Sequence, residues 1–139
     1  MHKTVEYASK LLELSEIEVL FHTKDKFHHN GVNAVFIENY YGIAFNIDWL
    51  SGALPEEVVI TALHETRHAY QKANIDFPFI FDGYESKDTI TEWKRDFKSY
   101  IRPNKNNLND YIDQSIEKDA IEFSRAIGKS HFGITFLDD

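Results

Sequence analysis

The chain has 139 residues, of which 42% are hydrophobic and 14% aromatic, so it is long and apolar enough for one folded domain, residues 1–139. This composition excludes disordered and fibrous classes. The net charge of −8 argues against direct nucleic-acid binding, and the lack of cysteine excludes disulfides and thiolate metal sites. No apolar run would span a membrane and no secretion signal is visible, so we expect a cytoplasmic protein.

The first half of the chain predicts a helix followed by a small sheet. Apolar residues recur at helical spacing over about 4–19. Three β-rich runs follow at 19–22, 33–38 and 41–47, and Asn30-Gly31 is a strong turn signal between the first two. These runs predict a three-stranded antiparallel sheet.

The second half predicts three helices, at about 55–73, 88–101 and 109–127. Pro55 suits the first turn of the first one, which is apolar on nearly every side and therefore central, and Gly128 is a stop signal for the last one. Phe77, Phe79 and Phe81 lie in a loop that caps the core or lines an apolar pocket. The predicted fold class is α+β.

The central helix carries the pattern His64-Glu65-x-x-His68. Residues four apart lie on one face of a helix, so both imidazoles can reach a single metal ion. Zinc suits such nitrogen ligands, and the carboxylate next to them can take a proton from a bound water. The pattern predicts zinc held by His64 and His68, with Glu65 as general base.

A third ligand is expected on the last helix. Glu117 borders the apolar stripe there and can point inward, and we favour it over Asp113 and His131. Asp119 lies near the same stripe, where it would bond to a ligand histidine or tether the helix to a loop.

Two further roles have candidates in the sequence. Tyr84, Tyr111 and His131 could each stabilise a developing oxyanion, and the sequence does not choose among them. The strand run at 43–47 leads into the central helix, so it is the candidate for pairing with an extended substrate.

The HETRH run at 64–68 and the EKDAIEFS run at 117–124 together resemble the HExxH…ExxAxxFA arrangement of the ImmA/IrrE-type short zinc metallopeptidases, which are gluzincins. The strand run before the central helix adds to the likeness. The resemblance implies a minimal zincin-like domain with Zn²⁺ bound by His64, His68 and Glu117, and with Glu65 as general base. Arg67 stands where many members of that family carry a small residue.

The expected function is hydrolysis of peptide bonds by metal-activated water, with a narrow peptide or protein substrate as partner. Three alternatives stay open. The first is a non-catalytic zinc-containing binding or regulatory module on the same fold. The second is a hydrolase of non-peptide bonds. The third is a metal-free core in which His64 and His68 bond to Glu117 and Asp119.

Overall fold

The computed structural model describes residues 1–27 and 31–137, and within them six α-helices and one short 3-10 helix, Lys24–Lys26, accompany a three-stranded sheet. The α+β class is therefore confirmed. None of the described helices has the length and apolar character that crossing a membrane requires. The helices are α1 His2–Leu11, α2 Ile47–Leu50, α3 Pro55–Asp76, α4 Lys87–Lys98, α5 Leu108–Ile112 and α6 Ser115–Ser130, and the strands are β1 Glu18–His22, β2 Ala34–Ile37 and β3 Gly42–Asn46.

The sheet is mixed, so the predicted all-antiparallel arrangement is wrong. Its order is β1-β3-β2, with β3 parallel to β1 and antiparallel to β2. The turn signal at Asn30-Gly31 implied a hairpin of the first two strands, but they are not neighbours; Asn30 itself lies outside the described residues. Every residue of β3 is buried, and a strand buried on both faces is typical of the middle of a sheet.

The N-terminal helix is shorter than predicted. It ends at Leu11, and Glu13 then adopts a positive φ of 58° that turns the chain out of the helix. Ile17 continues the helical spacing in the sequence, yet it reaches the core from the segment before β1. Apolar spacing alone does not show where a helix gives way to an extended segment that buries the same face.

Helix α3 is central, as predicted, because it contributes to both hydrophobic clusters of the core. In the first cluster Ala62 and Ala69 pack with α1 and the sheet. In the second cluster Tyr70 and Ala73 pack with Trp93 of α4 and with Ile116 of α6. The HExxH pattern at 64–68 thus lies on the helix that joins the two clusters of the core.

The predicted helix at 109–127 is two helices. The helical conformation is interrupted between α5 and α6 because Gln114 is extended (φ −61°, ψ 138°). The side-chain amide of Gln114 bonds to the backbone N–H and carbonyl of Ile101. Gly128 lies inside α6 and does not stop it. A Cβ atom there would come within 2.8 Å of Ile60 Cδ1, so this glycine permits close packing of α6 on α3.

The start of α6 is held by a residue from another helix. Its own N-cap residue, Gln114, makes no side-chain cap bond. Asp96 of α4 instead accepts hydrogen bonds from the Ser115 hydroxyl and the Ile116 N–H. This contact fixes the first turn of α6, where Glu117 lies.

We expect Asp96→Ala to lower the free energy of unfolding by about 1 to 2 kcal/mol, since the substitution removes a helix cap that is itself buried. Urea denaturation measures the change. Asp82→Ala, an exposed carboxylate in the loop before α4, is the control and should change stability little. Equal losses in the two variants would contradict the capping role.

Candidate metal centre

Three side chains from two helices converge on one point. His64 and His68 lie one turn apart on α3 and face Glu117 in the first turn of α6. His68 Nε2 lies 2.9 Å from Glu117 Oε2, and His64 Nε2 lies 3.4 Å from Glu117 Oε1. One potential ligand atom from each residue falls within 4.8 Å of the other two. The structure therefore brings together the three residues that the sequence selected as metal ligands.

The cluster is buried on one side and open on the other. Glu117 is 1% exposed and His68 is 6% exposed, whereas the His64 side chain is 20% exposed. A small ligand or a water molecule therefore approaches from the His64 side.

The polar atoms of the cluster are incompletely satisfied by the protein. Glu117 Oε2 is buried and has no hydrogen-bond partner among the described residues, although His68 Nε2 lies 2.9 Å from it. A buried carboxylate oxygen without a partner is costly. A cation bound by that oxygen and the two imidazole nitrogens would compensate this cost. Two nitrogens and one carboxylate oxygen are a donor set that zinc accepts, with one position left for water.

Charge within the cluster favours an ionised Glu117. Burial alone would raise its pKa, but the facing imidazoles of His68 and His64 hold it below the usual range for a glutamate. Burial would likewise lower the pKa of His68, yet the charge of Glu117 raises it to about 9. The positive end of the α6 dipole acts in the same direction on Glu117. A metal ion would therefore compete with a proton for His68.

Glu65 lies beside the cluster without joining it. It follows His64 in the chain, is 8% exposed, and its Oε2 atom has no hydrogen-bond partner in the described part of the chain. Burial raises the pKa of Glu65, against the opposing effect of the imidazoles of His68 and His64. In this environment a carboxylate is protonated more readily than the carboxylate of an exposed glutamate.

Two tyrosine hydroxyls meet the oxygen of Glu117 that faces away from His68. Tyr111 donates to Oε1 at 2.6 Å, and Tyr100 lies at 3.4 Å from the same atom. Burial, with the charge of Glu117, raises the pKa of both hydroxyls, so both stay protonated donors. The sequence analysis named Tyr111 as a candidate for stabilising a developing oxyanion, and the structure places its hydroxyl on Glu117. Tyr100 was missed because it comes near the cluster only through the pairing of Gln114 with Ile101.

Three other candidates lie elsewhere. The Tyr84 hydroxyl donates to Glu13, on the segment between α1 and β1. His131 is exposed and stacks on Tyr7, with 3.9 Å between ring centroids. Asp113 is exposed in the break before α6. The structure brings none of the three to the cluster.

Asp119 is connected to the cluster through a residue that the sequence analysis missed, Gln71. The amide Nε2 of Gln71 donates to Asp119 Oδ2 (2.8 Å) and to the Ile116 carbonyl (2.9 Å). Its Oε1 atom therefore faces His68 Nδ1 at 2.9 Å and accepts a hydrogen bond from it. A proton held on Nδ1 leaves Nε2, the atom nearest Glu117, as the ligand nitrogen.

Asp119 also fixes Arg67. The guanidinium donates two hydrogen bonds to the carboxylate, at 2.7 Å and 3.0 Å, and its carbon lies 4.4 Å and 4.8 Å from the ring centroids of Tyr70 and Phe123. Asp119 is therefore both a tether between α6 and α3 and an indirect support for His68. The spacing of Gln71 from His68, three residues on a helix, is the signal that could have identified it.

Comparison of the chain with profiles of known protein families, with curated proteins and with solved structures finds no significant match in any of the three.

We expect Gln71→Met to weaken divalent-metal binding about ten- to hundredfold, because the near-isosteric side chain fills the space but cannot accept the proton of His68. Competition with a chromophoric chelator measures the affinity. Asn74→Leu, a buried amide on the same helix that bonds to the Tyr70 carbonyl, is the control for loss of a buried polar group. Equal weakening in both variants would contradict a specific role for Gln71.

Proposed function

We propose that the protein is a zinc-dependent peptidase with a zincin-like fold of the ImmA/IrrE type, in which His64, His68 and Glu117 hold the metal. One observation carries the proposal. Two imidazoles and a buried carboxylate converge within 4.8 Å beside a second buried carboxylate, Glu65, which has an unpartnered oxygen. These groups follow one another along the chain in the same order as in the ImmA/IrrE-type family that the sequence resembles.

The surroundings give each side chain a role. Bound zinc would lower the pKa of a water molecule and polarise the substrate carbonyl. Glu65 would take the proton from that water and pass it to the leaving amine. Tyr111 and Tyr100 orient Glu117 through its Oε1 atom, which leaves Oε2 for the metal. The partly exposed side of His64 admits water and substrate.

The substrate would pair with β2. Residues 43–47 were the predicted pairing strand, but β3 already has a neighbour on each side and offers no free edge. Of the two edge strands of the sheet, β2 makes the closer contact with α3. An extended peptide added to the outer edge of β2 would be bound by backbone hydrogen bonds.

A non-catalytic zinc module is the main alternative, and it predicts bound metal without turnover. The open side at His64 favours the catalytic function, because a closed site has no water to activate. A metal-free core would instead contain an imidazolium–carboxylate pair, and metal analysis distinguishes it directly.

We expect the purified protein to bind zinc at one equivalent, and His68→Ala to lose it, since the variant keeps only two of the three ligands. Native mass spectrometry measures the content. His131→Ala is the matched control, because this histidine is exposed and stacked on Tyr7, away from the cluster. A wild-type protein without affinity for zinc would exclude the proposal.

We expect Glu65→Gln to retain zinc but to lose at least about a hundredfold in the rate of peptide cleavage, because the amide cannot accept a proton. A proteome-derived peptide library, read by mass spectrometry, measures cleavage without assuming a sequence preference. Glu122→Gln, an exposed carboxylate on α6, is the control. Cleavage at the wild-type rate by the Glu65 variant would rule out the general base, and zinc binding without any wild-type cleavage would support the non-catalytic module.

A further inference from the structure

A groove of about 490 Å³ lies where the second half of α3 faces α4 and the residue after β2. Ile75 and Phe97 give it apolar surface, and three ammonium groups line it, those of Lys72, Lys94 and Lys98. The sequence analysis assigned no role to these residues.

The groove adjoins the metal centre. The Phe97 ring lines the groove and also contacts the His68 ring edge to face, with 6.4 Å between centroids. Lys72 follows His68 by four residues on α3, so the line of ligands from His64 to His68 continues into the groove. A peptide bound at the metal centre and extending along α3 would enter it.

The groove has an excess of positive charge in a chain with 15 basic and 23 acidic residues. Lys72 pairs with Asp76 at 3.1 Å, and the other oxygen of Asp76 accepts the Tyr41 hydroxyl. Lys94 and Lys98 have no ion-pair or hydrogen-bond partner among the described residues. They lie four residues apart on α4, where like charges destabilise a helix.

One further carboxylate, Glu38, lines the groove, so three ammonium groups face two carboxylates. Glu38 directly follows β2, the edge strand proposed to pair with substrate. A peptide that runs along β2 therefore passes Glu38 and reaches Lys94 and Lys98, whose charges are not neutralised by a neighbour.

We propose that this groove is a subsite for a carboxylate of the substrate, so that the peptidase prefers acidic peptides; the proposal rests on the function proposed above. A helix rises about 1.5 Å per residue, which places Lys72 about 6 Å and Asp76 about 12 Å beyond His68 along α3. An extended peptide advances about 3.3 Å per residue. The recognised carboxylate thus lies about two to four residues from the cleaved bond. The apolar surface of Phe97 and Ile75 accommodates the methylene groups of a glutamate side chain.

Binding is tested with the zinc-loaded Glu65→Gln protein and fluorescent dodecapeptides of Ala, Ser, Leu and Gly that carry a single Glu or Gln at each position in turn. We expect a Glu peptide to bind about tenfold more tightly than its Gln counterpart, because a hydrogen bond to a charged group is worth about that much. Added salt should weaken the difference.

The double substitution Lys94→Glu/Lys98→Glu should reduce this discrimination to less than about twofold, since two attractive charges become repulsive. The matched control is Lys3→Glu/Lys105→Glu, which changes the net charge equally at two exposed lysines that do not line the groove. Circular dichroism and zinc content verify that all variants fold.

Each peptide is made with a free and an amidated C-terminus. Tight binding of amidated Glu peptides identifies a side-chain carboxylate as the ligand, and binding that needs the free end identifies the terminal carboxylate. The subsite would be overturned if amidated Glu and Gln peptides bound equally and a free C-terminus made no difference to the affinity. It would also be overturned if the Lys94→Glu/Lys98→Glu protein still bound Glu peptides more tightly than Gln peptides. Binding of acidic peptides by the Glu65→Gln protein, with no cleavage by the wild type, would contradict the peptidase and leave the subsite standing.

Discussion

The structure depends on one buried contact between α3 and α6, in which the carboxylate of Glu117 faces the imidazoles of His64 and His68. An ionised carboxylate that is 1% exposed is stable only where charge and hydrogen bonds compensate the loss of water. The imidazoles, the α6 dipole and the tyrosine hydroxyls supply part of this compensation. Glu117 Oε2 is left without a hydrogen bond, and a bound cation would supply the missing partner.

The contacts around this pair control where its members lie. Asp96 fixes the first turn of α6, and with it the backbone of Glu117. Gln71 determines which nitrogen of His68 is available, and Asp119 determines which way the Gln71 amide points. These residues come from α3, α4 and α6. The same interactions therefore hold the three helices together and determine the geometry of the candidate metal centre.

The sequence predicted the parts of the fold and site that local spacing controls. The turn-to-turn spacing of His64 and His68 and the inward position of Glu117 follow from helix geometry, and the structure brings the three together. The sheet order and the break at Gln114 did not follow, since both depend on contacts between distant segments, as in the pairing of Gln114 with Ile101. Tyr100 was missed for the same reason, whereas Gln71 lies at a spacing that helix geometry could have revealed.

Helix α3 explains how a candidate metal centre can lie within the core of the fold. Its alanines Ala62 and Ala69 pack with the sheet, while another face of the helix buries His68 and Gln71, whose side chains contact α6. A helix with two buried faces of different polarity is fixed in one orientation about its axis. Rotation would expose apolar residues and leave buried polar residues without hydrogen-bond partners. The packing that stabilises the core therefore also aims His64 and His68 at Glu117, and it sets Lys72 one turn farther along the same line. A change that rotates α3 would alter the candidate metal centre and the groove beside it together.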